Sequence, residues 1–318
     1  MKIAMLEPLA VEASYLKELA KPFEDAGYEV SLALKPLSEE EKAIASKDAD
    51  AIIIASAPLS SALVENAQNL KMISVAFTGV DHVPAQKINE KGIIVSNAQG
   101  YATVSVTELV FGSAIAAMRN IIACDEACRS GKTKDGLVGV ELYGKTFGIV
   151  GYGAIGRSVG KIAAAFGCKV IAYDPFLKAG EKCSEAEYCD LDDLLRKSDI
   201  VSLHLPLTDD TKHLINKEKL ALMKKTAVLI NQARGPVVDS SALAEALNSG
   251  SIAAAAIDVF DQEPPLPESQ ALLHAKNTVL TPHVGFASKE SMVRRAAIAF
   301  ENVQAWLDGK PINVKFGL

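Results

Sequence analysis

Along the first hundred residues, short runs of apolar positions alternate with amphipathic polar segments. The runs are KIAML (2–6), YEVSLAL (28–34), AIIIAS (51–56), LKMISVAF (70–77) and GIIVSNA (92–98). Unbroken apolar runs of this length suit strands buried on both faces, and helical segments between them join such strands in parallel. From residue 103 to residue 130 the character changes, with no proline and many alanines and isoleucines. That stretch predicts one long helix crossing from a first domain to a second.

A second alternating series follows: KTFGIVGYG (145–153), CKVIAYDP (168–175), DIVSLHLPL (199–207), TAVLINQARG (226–235), AAAAIDVF (253–260) and NTVLTPHVG (277–285). Six strands alternating with helices is the count of a doubly wound dinucleotide-binding sheet. The segment 289–310 has a helical pattern and no strand of its own in this series, so it is expected to return to the first domain. The predicted fold is α/β, with two doubly wound parallel-sheet domains. Residues 1–98 with 288–318 form a flavodoxin-like domain, residues 99–287 form a Rossmann domain inserted into it, and a cleft separates the two.

Composition narrows the classes of partner. The chain has 318 residues, 49% of them hydrophobic, enough to build a core for each domain. Its net charge of −6 argues against a nucleic-acid or anionic-membrane partner and leaves small molecules. No apolar run approaches the roughly 20 residues that span a bilayer, and Glu7 and Glu12 come too early for a signal peptide, so a cytoplasmic address is expected. The five cysteines (Cys124, Cys128, Cys168, Cys183, Cys189) show no zinc spacing and read as reduced thiols. Cys124 and Cys128 share a helical face, but two thiols alone make a poor metal site, and no metal is expected.

The stretch GYGAIGRSVGKIAAAFGCKVIAYDP (151–175) carries the first chemistry. Its glycine loop follows an apolar strand and opens a helix. Gly151 permits a tight turn, Gly153 lets the backbone approach a pyrophosphate, and Gly156 lets helix and strand pack closely. The helix start offers unpaired N–H groups and a positive dipole end. Asp174 ends the next strand, where a carboxylate accepts bonds from ribose hydroxyls. A 2′-phosphate would face that charge with only Lys178 to offset it, so NAD is expected and NADP disfavoured.

Ligands in such sheets sit beyond the carboxyl ends of the strands. The polar residues there are Asp174, His204, Arg234, Asp258, Glu263 and His283. Arg234 offers a planar fork for a carboxylate. His283 can exchange a proton near neutrality, and Glu263 beside it would fix the imidazole and favour its charged form.

The set GYGAIG…D, HLPLT, NQARG, AIDVFDQEP and TPHVG resembles the D-isomer-specific 2-hydroxyacid dehydrogenase family over essentially the whole chain. The resemblance implies hydride transfer between NADH and a 2-oxoacid, giving a D-2-hydroxyacid. It implies that Arg234 grips the substrate carboxylate, that His283 is acid and base with Glu263 orienting it, and that Asp258 contacts the nicotinamide carboxamide. Cofactor contacts are expected at Gly151, Gly153, Ala154, Ile155, Gly156, Asp174, His204, Pro206, Thr211, Ala233, Asp258 and His283. The loop VAFTGVDHV (75–83) resembles the family's substrate loop, with N–H groups around Thr78 and Gly79 completing the carboxylate site. His82 and His204 are expected as structural neighbours of the cofactor rather than bases, and a homodimer is expected.

Phosphoglycerate-specific members tend to carry an arginine where Val75 stands, which points away from a phosphorylated substrate. Pro84 stands where an acid is expected after VDHV. Phe77 and Phe286 could line an apolar substrate pocket. A formate dehydrogenase shares the fold, but Glu263 beside the histidine suits carbonyl protonation, a step formate oxidation lacks. An NAD-sensing binding scaffold is the alternative from another class, usually marked by a docking surface or a low-complexity tail, and no such tail is seen.

Overall fold

The chain is described from a computed structural model, which covers residues 1–177, the short strand 182–183 and residues 185–317. Lys178 and the side chain of Cys183 lie outside the described residues. Two compact units emerge: Met1–Ala102 with Ala287–Leu318, and Thr103–Phe286.

The first unit opens with β1 (Lys2–Met5), α1 (Ala13–Asp25), β2 (Glu29–Leu32), α2 (Glu39–Ser46), β3 (Ala51–Ile54), α3 (Ser61–Asn66), β4 (Met72–Val75), α4 (Ala85–Lys91) and β5 (Ile94–Asn97). All four residues of β3 and of β4 are buried, the result of covering a parallel sheet on both faces. Helix α2 starts at a reciprocal capping box, Ser38 with Glu41. Helix α4 begins directly after Pro84, whose side chain cannot cap it, so the substitution noted in the sequence shifts no boundary.

In the second unit, α5 (Thr103–Met118) and α6 (Ile121–Arg129) replace the single long helix expected. The chain bends by 58° between them. Asn120 adopts the left-handed conformation at the break, a state asparagine tolerates better than most residues. Both helices belong to this unit, so the segment opens it rather than crossing to it. Among the described residues no single helix is long and apolar enough to cross a membrane, although α5 and α6 would pass that test as a bent pair. Buried Val106, Val110, Phe111 and Ala114 mark α5 as a core helix.

The unit continues with β6 (Thr146–Val150), α7 (Ala154–Ala165), β7 (Lys169–Tyr173), β8 (Lys182–Cys183), β9 (Ala186–Tyr188), α8 (Leu191–Lys197), β10 (Ile200–Leu203), α9 (Lys217–Leu222), β11 (Val228–Asn231), α10 (Ser240–Ser249), β12 (Ala254–Ile257) and β13 (Thr278–Leu280). Its strand order is β13-β12-β11-β10-β6-β7-β9-β8, with every neighbour parallel except β8 on β9. The six expected strands are present, and β8 and β9 extend the edge.

The chain then returns to the first unit with α11 (Lys289–Leu307) and β14 (Val314–Phe316). Strand β14 pairs antiparallel to β5, and the sheet order is β14-β5-β4-β3-β1-β2. Omitting β14, this is the doubly wound order of flavodoxin-like sheets.

Candidate active site

In the second unit the chain leaves β6, adds β7 and β9 on one side, then crosses to place β10 on the other. That reversal beside β6 is the switch point where doubly wound sheets open a crevice at their carboxyl ends. Gly151 follows β6 and His204 follows β10, and the two loops touch there. A Cβ on Gly151 would lie 2.7 Å from the His204 carbonyl oxygen, and its φ of +92° is a glycine conformation. Gly156 is equally constrained, since a Cβ would come within 2.1 Å of the Gly151 carbonyl oxygen. Gly153 differs, because a Cβ there would meet no protein atom within 4 Å.

Packing therefore explains two of the three glycines and leaves Gly153 without a packing reason. Helix α7 begins at Gly153 with no side-chain cap and no acidic residue in its first turn, which suits a phosphate at its exposed N–H groups. Gly153→Ala should leave the melting temperature unchanged and weaken NADH binding about tenfold, roughly 1.4 kcal/mol. Gly156→Ala should instead destabilise the fold, by about 1–3 kcal/mol. Thermal denaturation and fluorescence titration separate the two.

Asp174 is fixed against this loop. Its Oδ2 accepts from the Tyr152 N–H at 2.9 Å and its Oδ1 from the Phe176 N–H at 3.1 Å. His204 bonds Ser202 Oγ through Nε2 at 2.9 Å, and dense burial of its ring pushes its pKa down to about 3. It is neutral at physiological pH and cannot act as a general acid there. The Thr211 hydroxyl turns inward on its own loop, donating to the Pro206 carbonyl at 2.7 Å and accepting from Thr208 N–H at 2.7 Å. Both residues brace the loop after β10.

Strands β11, β12 and β13 are consecutive neighbours, so Arg234, Asp258 with Glu263, and His283 leave the sheet side by side. Asn231 shapes the first of these loops: its Oδ1 accepts from Ala233 N–H at 3.1 Å and its Nδ2 donates to the Arg234 carbonyl at 3.0 Å. Arg234 Nη1 donates to the Ala233 carbonyl at 2.8 Å, which orients the guanidinium. Gly235 is pressed on the next loop, since a Cβ would lie 1.9 Å from the Phe260 carbonyl oxygen. That contact ties the arginine loop to the one that leads to Glu263.

His283 Nδ1 lies 2.8 Å and 3.0 Å from the two carboxylate oxygens of Glu263. An ionised carboxylate only accepts, so Nδ1 carries the hydrogen in this contact. The Phe286 ring meets the imidazole edge-on at 5.5 Å. His283 itself has φ +55°, a left-handed backbone that costs a non-glycine residue ~1–2 kcal/mol. Asp258, 2% exposed, sits beneath: its Oδ1 accepts from Val284 N–H at 2.8 Å and Thr281 Oγ1 at 2.5 Å, and its Oδ2 from Gly285 N–H at 2.8 Å.

Thr78 and Gly79 belong to the first unit, on the loop after β4. The Thr78 carbonyl is held by Asn97 Nδ2 at 2.6 Å, and Phe77 packs against Tyr101 at 5.9 Å. Val75 is fully buried in β4. Among the described residues no cluster of histidine, cysteine or carboxylate side chains could hold a metal ion. Asn231, Asn97, Gly235 and Thr281 are the shaping residues that the sequence reading passed over. Only the glycine, next to an expected cation, offered a signal.

Residues 111–285 match the sequence profile described as D-isomer specific 2-hydroxyacid dehydrogenase, NAD binding domain. The D-3-phosphoglycerate dehydrogenase of Methanocaldococcus jannaschii is 39% identical over 97% of this chain, which spans 58% of that protein's length. The hydroxypyruvate reductase of Thermotoga maritima is 41% identical over 84% of this chain and 87% of its own. Among solved structures, an acyclic imino acid reductase in complex with NADPH and D-Arg superposes with a TM-score of 0.88 at 29% identity, covering 99% of this chain and 100% of that one.

Proposed function

Because the chain belongs to the D-isomer specific 2-hydroxyacid dehydrogenase family and is an NAD-dependent oxidoreductase, we propose that it interconverts a small, unphosphorylated 2-oxoacid and its D-2-hydroxyacid. The observation that carries this reading is the His283–Glu263 pair one strand away from Arg234. When bound, NADH supplies the hydride. His283 Nε2 gives the proton that the developing alkoxide needs, and takes it back in the reverse direction. Glu263 holds the ring by Nδ1, so Nε2 keeps one orientation through both. Arg234 grips the substrate carboxylate and draws charge toward the adjoining carbonyl. Thr78 and Gly79 keep their expected part in binding that carboxylate, on the strength of the loop's resemblance.

Buried Val75 offers no cation for a phosphate, and the Thermotoga relative's name supports hydroxypyruvate as the first substrate to try. The test is a panel of pyruvate, hydroxypyruvate, glyoxylate, phenylpyruvate, 2-oxoisocaproate and oxaloacetate with NADH, followed by absorbance. No turnover on any of them, with NADH bound, would favour a sensing scaffold; turnover of formate alone would favour a formate dehydrogenase.

Asp174 supports NADH over NADPH through its charge. Asp174→Asn is a cleaner probe than alanine, because an amide oxygen can still accept from Tyr152 N–H. It should narrow the preference about tenfold, and equal efficiency with both cofactors in the unmodified protein would overturn the assignment.

The expected homodimer finds support in an apolar patch on the second unit. Ile121, Ile122, Val138, Val140 and Tyr143 are between 48% and 82% exposed. Hydrogen bonds from Val140 N–H to Met118 and from Asn120 to Leu137 keep the loop against the α5–α6 break. A second copy covers such a patch most simply. Val138→Asp with Ile122→Asp should yield monomers by sedimentation equilibrium, whereas an unmodified protein that is itself monomeric would refute the assignment. The free thiols Cys124, Cys128, Cys168 and Cys189 agree with a reducing, cytoplasmic address.

A further inference from the structure

We infer that Asp258 and Thr281 act together as positioning residues, forming a buried seat that holds the His283 backbone in its left-handed conformation. The inference rests on the reading of His283 as acid and base. Four polar groups of the 281–285 turn converge on residue 258. The Asp258 carboxylate takes the N–H groups of Val284 and Gly285 and the hydroxyl of Thr281, while its backbone carbonyl takes the His283 N–H at 2.8 Å. Thus the residues on both sides of His283 are anchored to one side chain, and His283 is anchored to the same residue's main chain.

The conformation at His283 is uncommon for a non-glycine residue, and the surrounding bonds offset its cost. Gly285 confirms how tight the seat is: a Cβ there would stand 3.0 Å from Asp258 Oδ2. The backbone of His283 sets the direction of its Cα–Cβ bond, and from that start the ring reaches Glu263 through Nδ1. Asp258 and Thr281 therefore reach the reaction through His283. Any contact of Asp258 with the cofactor would be an additional task, which the NADH Kd of the Thr281 variants separates from positioning.

Thr281→Val removes the hydroxyl while keeping the shape. With NADH and hydroxypyruvate it should lower kcat roughly tenfold to a hundredfold, leave the hydroxypyruvate KM and the NADH Kd within about twofold, and be rescued by Thr281→Ser. Gly285→Ala, which crowds the same carboxylate from the opposite side, should lower kcat in the same way and decides the matter if the valine variant does not fold. His283→Ala is run in parallel. If it is inactive while Thr281→Val or Gly285→Ala keeps full kcat, or loses only NADH affinity, the positioning role is overturned and the acid–base assignment stands. If His283→Ala keeps normal turnover, the assignment beneath both is wrong.

Discussion

Replacing His283 by alanine is expected to lower turnover in both directions by about two to four orders of magnitude, the usual contribution of a positioned acid–base group. NADH affinity should change little, because the proposed cofactor contacts at the glycine loop, helix α7 and Asp174 lie at other strand ends. In the proposed reading Nε2 exchanges the proton while Nδ1 stays on Glu263 at 2.8 Å. No other histidine at this sheet edge can stand in, since His204 is buried and neutral. Initial rates of reduction and oxidation, with a fluorescence titration of NADH, check both halves. Near-normal turnover in the variant would show that another group delivers the proton.

Arg234→Lys should raise the KM for the 2-oxoacid about ten- to a hundredfold, since a charge-assisted bidentate contact contributes about 1.5–3 kcal/mol and an ammonium cannot reproduce the fork. NADH binding should remain within about twofold. The guanidinium already spends Nη1 on the Ala233 carbonyl, a bond that fixes its plane, and Asn231 secures the turn beneath it. A lysine loses that fixing as well as the second prong. Should affinity for NADH and for the oxoacid fall together, Arg234 would be a structural residue of the β11 loop.

The strands of both sheets were legible because burial on two faces writes itself as an unbroken apolar run, as in AIII of β3 or VLIN of β11. Strands β8, β9 and β14 were not, being only two or three residues long, at a sheet edge for β8 and β14 and next to one for β9. The break at Asn120 was hidden because apolar composition resumes directly after Arg119 and Asn120, and of those two residues only Asn120 is left-handed. Charged residues after strands marked Arg234, Glu263 and His283 as candidates, and the sheet order places their loops beside one another. Asn231 and Thr281 gave no such notice. Their value lies in the atoms they reach: main-chain groups of Ala233 and Arg234 for Asn231, and for Thr281 a carboxylate 23 positions away.

The bracing of the glycine loop also has an entropic meaning. Gly151 is packed on His204, Gly156 on Gly151, and Tyr152 N–H is clamped by Asp174, all by atoms of the chain itself. A seat fixed in this way has few alternative shapes to surrender when a dinucleotide arrives, so most of the contact free energy appears as affinity instead of being consumed in ordering the loop. Calorimetry should then find a heat-capacity change no larger than the buried apolar surface of the cofactor accounts for, without the excess that folding of a binding segment adds.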